Sequence, residues 1–96
     1  MRLSDREIAV IHDVLTRLDP DARVFLFGSR TDDSAAGGDI DLLIESKIIG
    51  FAAKIEFLMR LKERIGEQKV DVLVTPSIAA SVDPFVLSIR AGAVEI

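Results

Sequence analysis

Two periods of hydrophobic and polar positions divide the chain into predicted helices and strands. Near the N-terminus, apolar residues recur every three to four positions, the spacing of one helix face: Ile8, Ile11, Leu15 and Leu18. Ser4 and Glu7 precede this run in the pattern of a capping box. The sequence therefore predicts a first helix from about Asp5 to Leu18, ended by the polar, proline-containing residues 19–21.

Three apolar segments have the features of β-strands. Residues 24–27 and 40–44 form short, nearly continuous apolar runs, as buried strands do. The polar and glycine-bearing residues 31–38 between them predict a loop. Residues 69–75 alternate instead, with valines on one side and polar or bulky residues on the other, and predict a third strand.

A second helix is predicted over residues 50–66, where apolar positions return to helical spacing and Gly66 is a typical stop. We expect one face of this helix to pack on the core: Phe51, Ile55, Leu58, Leu61 and Ile65. Phe57 and Met59 lie outside that stripe. The pattern leaves open whether they extend the core or meet a partner.

The C-terminal part contains two dipeptides in which a capping residue precedes proline, Thr75-Pro76 and Asp83-Pro84. They predict a short turn near Ser77 and a last helix over residues 84–91, followed by an edge strand over 93–96. The order α-β-β-α-β-α predicts one α/β domain over residues 1–96, in which a small mixed sheet packs with helices.

Composition narrows the classes of function. No apolar run approaches the roughly 20 residues of a membrane helix, and the charged N-terminus lacks a signal-peptide apolar region. The absence of cysteine excludes disulfides and thiolate metal sites, and a cytoplasmic setting is expected. A net charge of −4 argues against nucleic-acid binding as the main function, although it is compatible with a nucleotide and its metal ion.

Three aspartates are placed to meet on this sheet. Asp39 and Asp41 begin the second predicted strand, so their side chains point to one face about 6.6 Å apart along the backbone. Asp71 lies on the non-valine face of the third strand, and the three carboxylates converge if these strands are neighbours. Converging carboxylates repel one another, and oxygen-only ligands suit Mg²⁺. Two such ions about 4 Å apart can clamp an in-line phosphoryl displacement.

Gly28 and Ser29 interrupt the chain directly after the first strand. Glycine permits close approach of the backbone to a ligand, and serine offers a hydroxyl and an N–H where phosphate oxygens bind well. The chain lacks a P-loop motif, so a P-loop enzyme is excluded.

Together these features resemble a known family. Gly28-Ser29-Arg30, the run from Gly38 through Asp39-Ile40-Asp41 to Ile44, and the later Asp71 are similar to the minimal nucleotidyltransferases of the DNA polymerase β superfamily. The family pattern is a Gly-Ser, a glycine-containing loop, an Asp-x-Asp and a third carboxylate in a later strand. The resemblance covers nearly the whole chain and implies the nucleotidyltransferase fold.

The resemblance also implies an activity, cofactors and a partner. Such domains are commonly antitoxins paired with a helical HEPN toxin, and some transfer AMP from ATP to a tyrosine of that toxin. Asp39, Asp41 and Asp71 would then be the catalytic residues and the ligands of two Mg²⁺ ions, with Asp71 helping to deprotonate the acceptor. Gly28 and Ser29 would bind the terminal phosphates of ATP. Arg30 stands where the family often has arginine.

The loop departs from the family pattern. Members often have alanine and then glycine soon after the arginine, where this chain has Thr31, Asp32 and Asp33. The residue before the first aspartate is often serine, and here it is Gly38. These differences concern how the loop wraps ATP more than whether the aspartates bind metal.

The same residues also fit structural roles that need no ligand. The acids could be solvated charges at strand ends, Gly28-Ser29 an ordinary turn, and His12 a partly buried structural histidine. Two further functions stay open as well. One is a non-catalytic antitoxin that neutralises its partner by contact, and the other is a small-molecule nucleotidyltransferase of the antibiotic-modifying type. The last is disfavoured because those enzymes carry a second domain for the acceptor.

Overall fold

A mixed β-sheet with helices on both faces forms the fold seen in the computed structural model, which describes residues 3–31, 39–66 and 68–96. These residues form the following elements in chain order: α1 (Asp5–Leu18), β1 (Arg23–Phe27), a short 3₁₀ helix (Gly28–Thr31), β2 (Ile40–Glu45), α2 (Phe51–Ile65), β3 (Val70–Thr75), α3 (Pro84–Ile89) and β4 (Val94–Glu95). The order and the kinds of the main elements are as predicted.

The strand order of the sheet is β3-β2-β1-β4. β1 is antiparallel to both of its neighbours, whereas β2 and β3 are parallel and are joined through α2, as a parallel pair requires a crossover. The register places Asp41 opposite Phe27 on one side and opposite Asp71 on the other. The predicted mixed sheet is confirmed, and the second and third strands are neighbours, which is the condition under which the three aspartates were expected to converge.

The main core lies between α1, α2 and one face of the sheet. Its strand residues occupy alternate positions, as the two-residue period of a strand requires: Val24, Leu26, Ile40, Leu42, Ile44 and Val72. Helix α1 begins as predicted, because the Ser4 hydroxyl accepts a hydrogen bond from the Glu7 N–H and the Glu7 carboxylate accepts one from the Ser4 N–H. The apolar face of α1 places Ile11 and Leu15 at the centre of this core.

The predicted core face of α2 is partly wrong. Phe51 and Ile55 are 79% and 39% exposed, whereas Phe57 and Leu61 are completely buried. Two overlapping apolar stripes run along this helix, and packing against α1 and the sheet selects the one centred on Phe57. Met59, 61% exposed, faces away from the core with Phe51.

The predictions for the C-terminal elements are mostly confirmed. The predicted turn near Ser77 forms over residues 78–80, shortly after the end of β3. Asp83 does cap α3, where its carboxylate accepts from the Phe85 N–H, but this helix ends at Ile89, two residues earlier than predicted. The edge strand is confirmed as β4. Along the described residues, no helix has the length and apolarity needed to cross a membrane.

The second face of the sheet carries the aspartates and a smaller apolar group. Leu43 is completely buried there, outside the main core cluster, and so is Val86 of α3. The rings of Phe27 and Phe85 meet edge to face with their centroids 6.0 Å apart, which connects α3 to β1.

On the main-core side of the sheet, His12 has the structural role expected of it, with Nε2 2.9 Å from the Ile96 carbonyl.

A buried polar junction joins α1 to the end of β2. The Ser46 hydroxyl donates to Oδ2 of Asp19 at 2.6 Å and accepts from the N–H groups of Ile48 and Ile49 at 3.2 and 3.1 Å. Asp19 also accepts from the Asp21 N–H at 2.9 Å. Both side chains are buried, so each partner depends on this junction rather than on water.

Replacing Ser46 by alanine should therefore lower the free energy of unfolding by about 2–3 kcal/mol, because a buried carboxylate and two N–H groups lose their partner. Chemical denaturation of Ser46→Ala measures the loss. Ser88→Ala is the matched control: the Ser88 hydroxyl donates to a carbonyl at the surface, and its loss should change stability by no more than about 0.5 kcal/mol. Equal losses in the two variants would contradict a structural role of the junction.

Candidate active site

The predicted site residues gather at one edge of the sheet. β1 ends where β2 begins, because these strands are antiparallel, and β3 begins there too, because it is parallel to β2. Gly28 directly follows β1, Asp39 directly precedes β2, and Asp41 faces Asp71 across the β2–β3 pair. Asp39, Asp41 and Asp71 are called the acidic site below.

Gly28 lies against Asp41. Its φ of +78° is in the range that favours glycine, and a Cβ at this position would overlap Oδ2 of Asp41 and lie 3.3 Å from its Cγ. Any side chain at residue 28 would thus force the Asp41 carboxylate to move. The glycine was predicted to let a ligand approach the backbone, and the structure adds that it makes room for a site carboxylate.

Partial burial and crowding of like charges raise the pKa of Asp41 above its ordinary value. Partial burial is the largest cause, followed by repulsion from Asp71 and from Asp39 and by a hydrogen bond between the carboxyls of Asp41 and Asp71. The positive charge of Lys69 acts in the opposite direction and is the smallest influence. The three aspartates predicted from the sequence therefore do interact electrostatically.

Asp39 has a cationic partner that the sequence analysis missed. Nζ of Lys69 lies 3.5 Å from Oδ2 of Asp39. The register contains the signal for this pair: since Ile40 faces Val70, the residues that precede them, Asp39 and Lys69, are neighbours as well.

In the described residues, no group of three or more His, Cys, Asp or Glu side chains is close enough to hold a metal ion as it stands.

The donors at the acidic site nevertheless match a hard divalent cation in chemical type. They are carboxylate oxygens, which Mg²⁺ prefers, and the pairing of β2 with β3 brings those of Asp41 and Asp71 together. A cation would also relieve the repulsion that raises the pKa of Asp41. The residues thus fit Mg²⁺ in donor chemistry and in charge.

The remaining predicted residues are only partly described. Ser29 and Arg30 lie in the 3₁₀ helix that follows β1, beside the acidic site in the chain, and their side chains fall outside the described part of the structure. The loop residues Asp32, Asp33 and Gly38 lie outside the described residues altogether. Their predicted roles stay predictions.

A cavity of about 390 Å³ lies elsewhere, at the opposite end of β2, with Asp19, Ser46 and Lys47 among its lining residues. Its two central polar side chains, Asp19 and Ser46, already satisfy each other in the buried junction. The acidic site has unbalanced charge instead, and on that ground we identify it as the candidate active site.

The raised pKa predicts how the metal-free protein responds to pH. A carboxyl with a higher pKa in the folded than in the unfolded state binds its proton more tightly when folded, so stability decreases as pH rises through that interval. Asp41→Asn, which cannot ionise, should be more stable than the wild type at neutral pH in the presence of a chelator. The difference should shrink as the pH is lowered and wild-type Asp41 becomes protonated. Thermal melts across pH measure both effects.

Asp21→Asn is the control, because Asp21 is exposed and precedes β1 at the opposite edge of the sheet. This variant removes the same formal charge without relieving crowding and should show no comparable gain. If Asp41→Asn were instead less stable than the wild type at neutral pH, the Asp41 carboxylate would have a structural role that outweighs its repulsion.

Comparison with known proteins agrees with the geometry. Residues 8–91 match the family described as nucleotidyltransferase domain, a span that includes Gly28 and the whole acidic site. A search of curated proteins returns no match. Because the match covers most of the chain, and the fold and the position of the acids are consistent with it, the protein belongs to the nucleotidyltransferase domain family.

Proposed function

We propose that the protein is a Mg²⁺-dependent nucleotidyltransferase that transfers AMP from ATP to a hydroxyl, that of a tyrosine, on a HEPN-type helical toxin, and thereby acts as an antitoxin in the cytoplasm. Membership of the family supports nucleotidyl transfer, and enzymes of this family generally use Mg²⁺ and a nucleoside triphosphate. The observation that carries the catalytic part is the pairing of Asp41 with Asp71 beside Gly28. ATP, the tyrosine and the toxin come from the resemblance alone.

The proposed reaction assigns distinct roles to the three aspartates. The acceptor hydroxyl oxygen attacks the α-phosphorus of ATP, the bond to the bridging oxygen breaks, and pyrophosphate leaves. Bound Mg²⁺ ions would neutralise the charge that develops on the phosphate oxygens. Asp39 and Asp41, half-buried at the start of β2, are suited to hold the cations and orient the triphosphate. Asp71 is exposed, so it is the carboxylate that an incoming hydroxyl can reach to transfer its proton.

A second candidate is an antitoxin that neutralises its toxin by contact without catalysis. The apolar side chains exposed on α2 favour it, because Phe51 and Met59 are 79% and 61% exposed on the outer side of that helix. The same surface would be equally useful to an enzyme that binds its acceptor protein there. Only an assay of transfer separates the two functions.

Transfer is tested by incubating the protein, Mg²⁺ and the candidate toxin with ATP labelled on the α-phosphate. We expect label on the toxin, and none when the label is on the γ-phosphate, which leaves with pyrophosphate. Because this chain contains no tyrosine, a tyrosine adduct must lie on the toxin. Asp39→Asn and Asp41→Asn should each lower the rate by about 100-fold or more, the scale of losing one electrostatic contact to a transition state. Relief of toxicity without any transfer would favour the contact antitoxin.

Gly28 offers a test of the geometry at unchanged charge. Gly28→Ala should lower the rate of transfer about as much as Asp41→Asn does, because the added methyl displaces the Asp41 carboxylate. Gly66→Ala is the matched control: Gly66 has a similar φ of +89°, but a Cβ there meets nothing within 4 Å. Both substitutions should lower stability through backbone strain of about 1–3 kcal/mol. Only Gly28→Ala should lower the rate of transfer, measured on folded protein. Equal rates in the two variants would show that transfer tolerates a displaced Asp41 carboxylate.

A further inference from the structure

Lys69 is held beside the acidic site by its backbone as well as by its charge. It directly precedes β3, and its carbonyl accepts a hydrogen bond of 3.0 Å from the Ile40 N–H at the start of β2. This bond fixes the main chain of Lys69 next to Asp39. From there the side chain brings Nζ to 3.5 Å from Oδ2 of Asp39.

We propose that Lys69 is a resident counter-ion of the acidic site, which holds Asp39 while the site is empty and turns to the phosphates when a nucleotide binds. This inference rests on the proposed function, because it assumes that the carboxylates receive a divalent cation and a triphosphate. It assigns Lys69 a positioning role that neither the aspartate motif nor the Gly-Ser motif contains.

The character of the pair suits an exchangeable contact. The side chains of Lys69 and Asp39 are 69% and 46% exposed, and ion pairs so open to water are weak. A lysine ammonium is a compact charge on a flexible stem, so it can leave one anion for another without rearranging the backbone. A triphosphate brought to the aspartates would place new anionic oxygens within reach of the same ammonium.

This role predicts opposite effects on two ligands. A positive charge near the carboxylates repels a divalent cation that arrives alone, so removing that charge should tighten binding of free Mg²⁺ by about three- to tenfold. The same charge attracts a triphosphate, so its removal should weaken binding of the Mg²⁺–nucleotide complex by a factor of about three to ten. A residue that merely supports the fold would shift both affinities in one direction.

The experiment is calorimetric titration of the full chain with Mg²⁺ alone and then with Mg²⁺ plus α,β-methylene-ATP, whose α–β linkage blocks transfer. Lys69→Gln should bind Mg²⁺ more tightly and the nucleotide complex more weakly than the wild type. Lys69→Arg keeps the charge, so it should bind both ligands with affinities close to those of the wild type. Lys47→Gln is the control for net charge, since Lys47 is exposed past the far end of β2, about 20 Å from Asp41 by strand rise.

Each outcome decides a separate point. If the wild type binds Mg²⁺ and the nucleotide complex but Lys69→Gln changes neither, or lowers both, the counter-ion role is wrong while the proposed function stands. The same conclusion follows if Lys47→Gln has the same effects as Lys69→Gln. If the wild type binds neither ligand, the proposed function fails and the role of Lys69 fails with it. Melting curves of each variant confirm that the titrated protein is folded.

Discussion

The parallel pairing of β2 with β3 is the constraint on which the rest of the structure depends. Its register sets Asp41 opposite Asp71, and two residues earlier it sets Asp39 beside Lys69. A shift of β3 by one residue along β2 would turn Asp71 towards the core and the valines of β3 away from it. The valines are therefore as important to the acidic site as the acids themselves, because their burial holds the register that brings the acids together.

The two faces of the sheet divide stability from chemistry. One face and the helices α1 and α2 bury a continuous apolar core, which offsets the repulsion accepted on the other face. Partial burial and the crowding of the carboxylates raise the pKa of Asp41 and make the ionised site unfavourable without a cation. Gly28 keeps that crowding in place by leaving space for the carboxylate where every other residue would displace it. Such local strain is expected where function rather than stability has selected the residues.

Local signals in the sequence predicted most of the fold. The capping box of α1, the alternation of β3 and the glycine at the end of α2 each act over a few residues, and each is found as predicted. Signals that depend on packing were ambiguous. The helix α2 carries apolar residues on more than one side, so its core face could not be chosen before the position of α1 was known.

The same division applies to the acidic site. The three aspartates could be predicted because their spacing along strands is a local property, and the pairing of Asp41 with Asp71 followed from adjacency of the strands. Lys69 was missed because a single lysine before a strand has no signature of its own. Its position in the acidic site is apparent only once the strand register places it beside Asp39. The contact of Gly28 with Asp41 likewise joins residues from two elements, the 3₁₀ helix and β2.

The order of the strands has a consequence for self-association. β3 is the outermost strand on its side of the sheet, and edge strands in the described fold, as in other proteins, present free backbone groups to which another chain could add a strand. Charges on such an edge are a common protection against aggregation, and here Asp71 and the adjoining Lys69 supply them. Asp71, the carboxylate proposed to take the proton from the acceptor, thus also helps to prevent another chain from adding a strand at this edge. Selection for a soluble edge would retain an acid at this position even in a relative that had lost the chemistry.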